Sequence, residues 1–195
     1  MDKRLREWLL DVHAKEVLPV MPDEESEYLR FAAAAFNRPS VFDDPSVGSF
    51  ADEVILSIAT ETSLILIESD VALTLRVAFL ESCGALFEAR FSALKPLSLR
   101  EAYTHICFLF WDALLSYVGP STPLRDDLRI LRETVFQCLS QLLAMDNLEC
   151  QRSALHGFNH LQDDRCRSLI DAFMSRCEDA ELKAYAQRAR DYQEL

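Results

Sequence analysis

Glycine is scarce in this chain, and proline is not much more frequent. The 195 residues include 4 glycines and 7 prolines, while half of the chain is hydrophobic. So few positions cannot supply the sharp turns that an all-β sandwich needs between its short strands. The four glycines, at 48, 84, 119 and 157, are also too widely spaced to build a phosphate-binding loop. The composition therefore predicts an all-α fold, and the length favours a single domain over residues 1–195.

Basic side chains are also under-represented, with 20 lysines and arginines against 32 acids and a formal net charge of −12. A nucleic-acid partner would require a basic stripe, so nucleic acid is not expected. No lysine or arginine occurs between Arg38 and Arg76. The acids of this interval predict either a solvated, solubilising face or a docking surface for a basic protein partner. The candidate interaction residues are Asp43, Asp44, Asp52, Glu53 and Glu61.

The chain lacks both a long apolar run and closely spaced cysteines. Its most apolar stretch, Ile106–Trp111, falls well short of the ~20 residues that span a membrane. The six cysteines form no CxxC pair, and most lie in apolar helical patterns where a thiol behaves as a small hydrophobe. The charged, amphipathic start has no signal-peptide core. We therefore expect a cytoplasmic protein with reduced thiols and no membrane span.

Apolar residues recur at three- and four-residue steps along almost the whole chain, which is the pattern of amphipathic helices. The segment 49–69 is rich in Ile, Val and Thr, which favour strands, but it holds a helical stripe and is too long for an ordinary strand. Residues 37–48, with two prolines and one glycine, are predicted to form the longest loop. The predicted helices are 2–18, 24–36, 49–69, 71–91, 98–118, 122–145, 147–161, 164–177 and 179–192.

The last part of the chain falls into two helix pairs, about 98–145 and 147–177. In the second pair, small residues allow close approach and large ones fill the layer between hairpins. These residues are Ala154, Leu155, Gly157, Phe158 and Leu161, then Leu169, Ile170, Phe173 and Met174. The pattern resembles the HEAT-like or armadillo-like α–α superhelix, which implies antiparallel helix pairs stacked into an interaction scaffold. Because the upstream helices are longer and the 37–48 loop breaks the register, an irregular helical bundle is the alternative.

His156 and His160 are the one place in the sequence where metal chemistry is indicated. They stand four residues apart, so a helix places both imidazoles on one face, close enough to share a Zn²⁺ or similar ion. One more such step reaches Asp164, a candidate third ligand. The glutamate of a catalytic HExxH motif is absent, because Gly157 follows His156. Alternatively, both histidines hydrogen-bond to the hinge at 162–164, and a pH-responsive contact is also open.

No nucleophile elbow and no cysteine with an activating signature occur in the sequence. We therefore predict no catalytic residue and no cofactor, and a binding protein is favoured over an enzyme. The leading hypothesis is a cytoplasmic interaction scaffold or adaptor with an acidic surface and an unknown, basic protein partner. One alternative is a metal-binding protein or metal-dependent enzyme that uses His156 and His160. The other is a carrier of an apolar ligand among Trp8, Phe108, Phe110 and Trp111.

Overall fold

Helices make up the regular structure of the protein. The computed structural model describes residues 3–14, 22–68, 70–93, 106–115 and 125–193. Within those ranges there are nine α-helices and no strand, which confirms the all-α prediction. They are α1 Lys3–Ala14, α2 Pro22–Phe36, α3 Ala51–Glu68, α4 Leu73–Ala89, α5 Ile106–Leu115, α6 Asp126–Ala144, α7 Leu148–Leu161, α8 Asp164–Arg176 and α9 Ala180–Arg190. The same ranges contain 3₁₀ turns at Pro39–Asp43, Gly48–Phe50 and Phe91–Ala93.

Of the two predicted helix pairs, 147–177 lies wholly within these ranges and 98–145 only partly. Residues 98–105 and 116–124 lie outside the described residues. In the second pair, Asn147 and Asp163 cap α7 and α8, because their side chains accept hydrogen bonds from the backbone N–H groups of Cys150 and Arg165. Such caps satisfy N–H groups that the first helical turn leaves without a partner. The start of each helix is therefore encoded locally.

Within the β-branched segment 49–69, Ala51–Glu68 form one helix, α3, as predicted, while residues 49 and 50 belong to a 3₁₀ turn and residue 69 lies outside the described residues. Helix α3 packs against α1 and α5, and these contacts bury side chains that would lower the stability of an isolated helix. Val54, Ile55 and Ile58 are each 0 % exposed. Thr62 is equally buried, and its hydroxyl donates to the carbonyl of Ile58 at 2.6 Å. Burial of these side chains therefore holds the segment in a helix, and the hydrogen bond gives the buried hydroxyl of Thr62 an acceptor.

The predicted loop at 37–48 is packed against the helices and includes a 3₁₀ turn. Val41, Phe42 and Val47 are buried within it. The ring of Phe42 lies 6.3 Å from that of Phe36 on α2, measured between centroids. The segment thus contributes to the hydrophobic core beside α2 and α4.

Helix α5 contains Ile106–Trp111, the most apolar stretch of the sequence. It lies between α3 and α7, and of its ten residues only Leu109, Asp112 and Ala113 are partly exposed. Asp112 is the one charged residue of this helix. Nowhere in the described part of the chain is there a helix both long and apolar enough to cross a membrane.

The aromatic residues considered for an apolar-ligand pocket pack against other aromatic residues. The ring of Phe87 lies 5.4 Å from Phe110 and 5.6 Å from Trp111, measured between centroids, and all three side chains are buried. A cleft of about 730 Å³ lies elsewhere in the described structure. Its lining includes Arg38, Asp43 and Asp44. The aromatic cluster is therefore part of the core, and ligand carriage stays a prediction.

Many close contacts among the described helices follow two series, in which each helix packs on the next but one in the chain. Helices α1, α3, α5, α7 and α9 form one series in which each packs on the next, and α2, α4 and α6 form another. The consecutive helices α6 and α7 also pack closely, as do α8 and α9. This packing is compatible with a stacked superhelix and with an irregular bundle. Helix α7 has neighbours in α5, α6 and α9, and ten of its 14 residues are buried, so it is enclosed on several sides.

Gly157 marks a close approach between α7 and its neighbours. A Cβ added there would lie 2.5 Å from Cδ2 of Leu139 and 3.3 Å from Cδ2 of Trp111, which is closer than carbon atoms pack in a protein core. Gly84, inside α4, has more space, because the nearest atom to an added Cβ is Oε1 of Gln141 at 3.7 Å. Only the first glycine is therefore required by packing.

We predict that Gly157→Ala lowers the free energy of unfolding by about 1–3 kcal/mol, because overpacking outweighs the gain in helix propensity. Gly84→Ala should raise that free energy by up to about 1 kcal/mol, since alanine is the better helix former. Urea denaturation followed by circular dichroism measures both changes. Equal effects of the two substitutions would contradict the close packing assigned to Gly157.

Arg76 is a buried cation at the junction of α3, α4 and α6. Its guanidinium donates to the carbonyl of Leu66 at 2.9 Å and to Asp127 at 3.0 Å. Arg125 donates to the same carboxylate at 3.1 Å and to the carbonyl of Ile67 at 2.6 Å. Hydrogen bonds from Arg125 and Arg76 lower the pKa of Asp127 to about 2. The cluster therefore satisfies carbonyls at the end of α3 and ties that end to α6.

Asp127→Asn should lower the free energy of unfolding by about 1 kcal/mol near neutral pH, because both arginines lose a charged acceptor. The folded-state pKa of Asp127 is below its usual 3.8, so the stabilisation is present above about pH 4 and disappears as the pH falls towards 2. Wild type and variant should therefore converge in acid, as followed by denaturation at several pH values. Asp126→Asn, at a neighbouring side chain that is 97 % exposed, is the control and should change little. A difference that stays constant down to about pH 2 would contradict this account.

Candidate metal centre

Helix α7 carries a line of polar side chains where it meets α5 and α9. They recur at three- and four-residue steps: Glu149, Arg152, Ser153, His156 and His160. All but His160 are buried. Because buried polar groups require hydrogen-bond partners, the neighbouring helices have to supply them.

The first half of this polar line makes ion pairs and hydrogen bonds inside the protein. Arg152 lies 3.0 Å from Glu149 and 3.7 Å from Glu181 of α9. Ser153 donates to a backbone carbonyl of α5 and accepts a hydrogen bond of 2.9 Å from Nε1 of Trp111. These contacts join α7 to α5 and to α9, and they fix the rotation of α7 about its axis.

The second half of the line converges on Asp112, in α5. Nε2 of His156 lies 2.9 Å from Oδ1 of Asp112, and Nε2 of His160 lies 2.6 Å from the same oxygen. The two Nε2 atoms are 3.3 Å apart. In the described residues, these three form the group of metal-ligating side chains whose ligand atoms all lie within 4.8 Å of one another.

The other nitrogen of His156 has its own contact, on α9. Nδ1 lies 3.1 Å from the hydroxyl oxygen of Tyr185, whose side chain is fully buried. Phe108 packs edge-on against the imidazole, with ring centroids 5.4 Å apart. The ring of His156 is therefore held at both nitrogens and on one side, so its orientation is set by α5 and α9.

The cluster is partly open to solvent. The side chain of His156 is 11 % exposed, while those of His160 and Asp112 are 40 % and 43 % exposed. Burial alone would raise the pKa of Asp112, but hydrogen bonds and attraction from His156 and His160 outweigh it and hold that pKa well below its usual range. Asp112 is therefore an ionised carboxylate at neutral pH, and an ion from solution can reach it.

The donor set suits a divalent transition metal. Zinc is bound by imidazole nitrogen and carboxylate oxygen, and two histidines with one carboxylate are also the ligands of non-haem Fe(II) sites. Ligand atoms around a tetrahedral ion with bonds of ~2.0–2.1 Å stand about 3.3 Å apart. The two Nε2 atoms already have that separation. Oδ1 of Asp112 would have to withdraw by roughly 0.5 Å to reach it.

The structure brings together two of the three metal ligands predicted from the sequence. His156 and His160 share one face of α7, as their spacing indicated. Asp164 is the exposed first residue of α8 and is not part of the group. Helix α7 ends at Leu161, and Gln162 follows with a left-handed φ of 48°, so a further four-residue step leaves the helix face. Asp112 takes the place of the carboxylate.

The sequence-based alternative, that the histidines bind the 162–164 hinge, does not match their contacts. Those contacts are with Asp112 and Tyr185 and with each other. The hinge is held differently, because Tyr192 donates to the carbonyl of Asp163 at 2.9 Å. Asp112 carried one usable signal in the sequence, namely a single acid that directly follows the apolar stretch Ile106–Trp111.

Three of the acids predicted to form an interaction surface lie beside arginines of the same chain. Arg90, which follows α4, lies 3.2 Å from both Asp43 and Asp52. Asp44 lies 3.8 Å from Arg6 of α1. These ion pairs link the 37–48 segment and the start of α3 to α1 and α4. The negative charge of this surface is thus partly balanced within the protein.

The other two predicted interaction acids, Glu53 and Glu61, differ in exposure. Glu53 is 73 % exposed and lies 3.6 Å from Nδ1 of His13. Glu61 is partly buried, and this burial raises its pKa. The five acids therefore have different environments, and their binding of a basic partner stays a prediction.

Asp112, His156 and His160 form a more specific arrangement than this acidic surface, because three ligand atoms from two helices meet at one point. No protein-family model matches the chain, and comparisons with curated proteins and with solved structures also found no match.

Proposed function

We propose that this protein binds a divalent transition-metal ion, with Zn²⁺ as the reference ion, through Asp112, His156 and His160. The observation that carries the proposal is the convergence of two Nε2 atoms, 3.3 Å apart, on one carboxylate oxygen. This separation is the one that a tetrahedral zinc ion imposes on its ligands, about 3.3 Å.

The surroundings of the three residues favour binding for two reasons. His156 is held on both sides by α5 and α9, so little conformational freedom is lost when it coordinates an ion. His160 and Asp112 are partly exposed, which leaves a path for the ion. Three protein ligands leave a fourth position for water, as in zinc sites that are open to solvent.

The test is a titration of Zn²⁺ into chelator-treated protein, followed by calorimetry and by elemental analysis. We expect one ion per chain, and we expect His160→Ala to abolish binding or weaken it at least tenfold, because two protein ligands rarely hold zinc. Asp112→Asn should also weaken binding, since the ionised carboxylate is lost.

Two variants serve as controls for this titration. His13 is also 40 % exposed and lies beside a carboxylate, but no second histidine of the described residues is grouped with it, so His13→Ala should bind normally. Asp164→Asn should also leave binding unchanged. No binding by the wild type, or equal binding by His160→Ala and His13→Ala, would refute the proposal.

Zinc should also stabilise the fold. A ligand present at about 100 times its Kd adds about 2.7 kcal/mol to the free energy of unfolding if it binds only the folded state. The midpoint of thermal unfolding should therefore rise with zinc in the wild type and in His13→Ala, and should rise less or not at all in His160→Ala. An equal rise in all three would indicate binding at another position.

A second candidate is the interaction scaffold in the cytoplasm that the sequence suggested. It is favoured by the exposure of Asp43, Asp52 and Glu53, whose side chains are 75 %, 57 % and 73 % accessible. A basic partner would compete with Arg90 for the first two acids. Affinity capture from native extract at low salt should recover a basic protein with the wild type and less of it with Asp43→Asn/Glu53→Gln. Equal recovery by both would exclude this surface.

A further inference from the structure

Tyr185 connects the candidate metal centre to the C-terminal helix. Its hydroxyl oxygen, on α9, lies 3.1 Å from Nδ1 of His156, and its side chain is fully buried. The other nitrogen of the same imidazole faces Asp112. A single ring therefore stands between the carboxylate of α5 and the hydroxyl of α9.

The direction of the hydrogen bond to Tyr185 depends on what Nε2 of His156 binds. Asp112 is an acceptor, so Nε2 carries the hydrogen when it faces the carboxylate, and Nδ1 of the neutral ring then accepts from the hydroxyl of Tyr185. A metal ion takes the lone pair of Nε2, so the hydrogen moves to Nδ1, which donates to the oxygen of Tyr185. A hydroxyl can act in both ways, whereas a phenylalanine ring can act in neither.

Helix α9 depends on α7 for much of its packing. Leu182, Tyr185, Ala186 and Ala189 are buried, and α7 is one of the two helices that α9 contacts most closely. Polar contacts at either end add to this, between Arg152 and Glu181 and from the side chain of Asn159 to the carbonyl of Gln193. Tyr185 lies between these ends, so the packing of α9 on α7 places the hydroxyl of Tyr185 beside His156.

The geometry points to a coupling between metal binding and the docking of α9, with Tyr185 as the positioning residue for the ligand His156. This inference rests on the proposed metal site. A hydrogen bond to the far nitrogen orients a ligating histidine and raises its basicity, and its loss usually weakens metal affinity by about 10–100-fold. Because linkage is reciprocal, a bound ion must favour the docked state of α9 by the same factor.

Two tyrosine variants test the role of Tyr185 in zinc affinity. Tyr185→Phe should weaken Zn²⁺ binding by about tenfold or more in a calorimetric titration, with one ion still bound per chain at saturation. Tyr192→Phe is the matched control. The hydroxyl of Tyr192 also joins the segment after α9 to the rest of the protein, because it donates to the carbonyl of Asp163 at 2.9 Å. It does not contact any of the three proposed metal ligands. Zinc affinity in Tyr192→Phe should stay within about twofold of the wild type.

Amide hydrogen exchange is a second measurement. Its response to zinc should not change if Tyr185 has only a structural role. For amides of Ala180–Arg190 that exchange by local opening, to which global unfolding does not contribute, saturation with Zn²⁺ should slow exchange in the wild type by about tenfold or more, and should slow it less in Tyr185→Phe. If Tyr185→Phe does not fold, wild-type exchange with and without zinc decides alone.

The outcomes separate the two proposals. If the wild type binds zinc but Tyr185→Phe and Tyr192→Phe bind it equally, the coupling is refuted and the metal site stands. Unchanged exchange of α9 on zinc binding has the same meaning. If the wild type binds no zinc, the metal site itself is refuted, and the coupling with it.

Discussion

The C-terminal half of the protein depends on one constraint, which is the burial of polar side chains on α7. An apolar helix could occupy the space between α5, α6 and α9 in several rotations, because hydrophobic contacts are not directional. The polar line of α7 allows far fewer. Each of its buried groups would cost on the order of 1–3 kcal/mol without a partner, and the partners lie at defined positions on α5 and α9. The hydrogen bonds therefore specify the arrangement more than they add to its stability.

The same contacts that satisfy α7 also produce the candidate metal centre. Asp112 is an acid in an otherwise apolar helix, where a carboxylate without partners would be costly. Contacts with the imidazoles of His156 and His160 offset that cost. The Nε2 atoms that make these contacts can also bind a metal ion. A site of this kind needs no dedicated loop or cleft. It arises where three packed helices exchange polar contacts close to the surface.

The parts of this structure that depend on local sequence were predictable, and the parts that depend on distant residues were not. Helical periodicity indicated α3 in spite of its β-branched residues, and the four-residue spacing placed His156 and His160 on one face. The same spacing pointed to Asp164 as the third ligand, but α7 ends at Leu161 and Asp164 does not lie with the two histidines. Asp112 stands 44 residues before His156 in the chain, and only the packing of α5 on α7 joins them. The burial of Arg76 was not predicted for the same reason, because its partner Asp127 is 51 residues away in the chain.

Gly157 lies on the core side of the candidate site, where the packing is tighter than on the solvent side. On the solvent side, the side chains of His160 and Asp112 are 40 % and 43 % exposed. On the core side, the backbone of α7 lies so close to the side chains of Leu139 and Trp111 that an added methyl group would require α7 or one of these side chains to shift. Since Trp111 precedes Asp112 and Gly157 follows His156, a shift of either helix would change the distance between the two ligands. Natural variation at the core side would therefore alter ligand geometry through residues that never contact the ion.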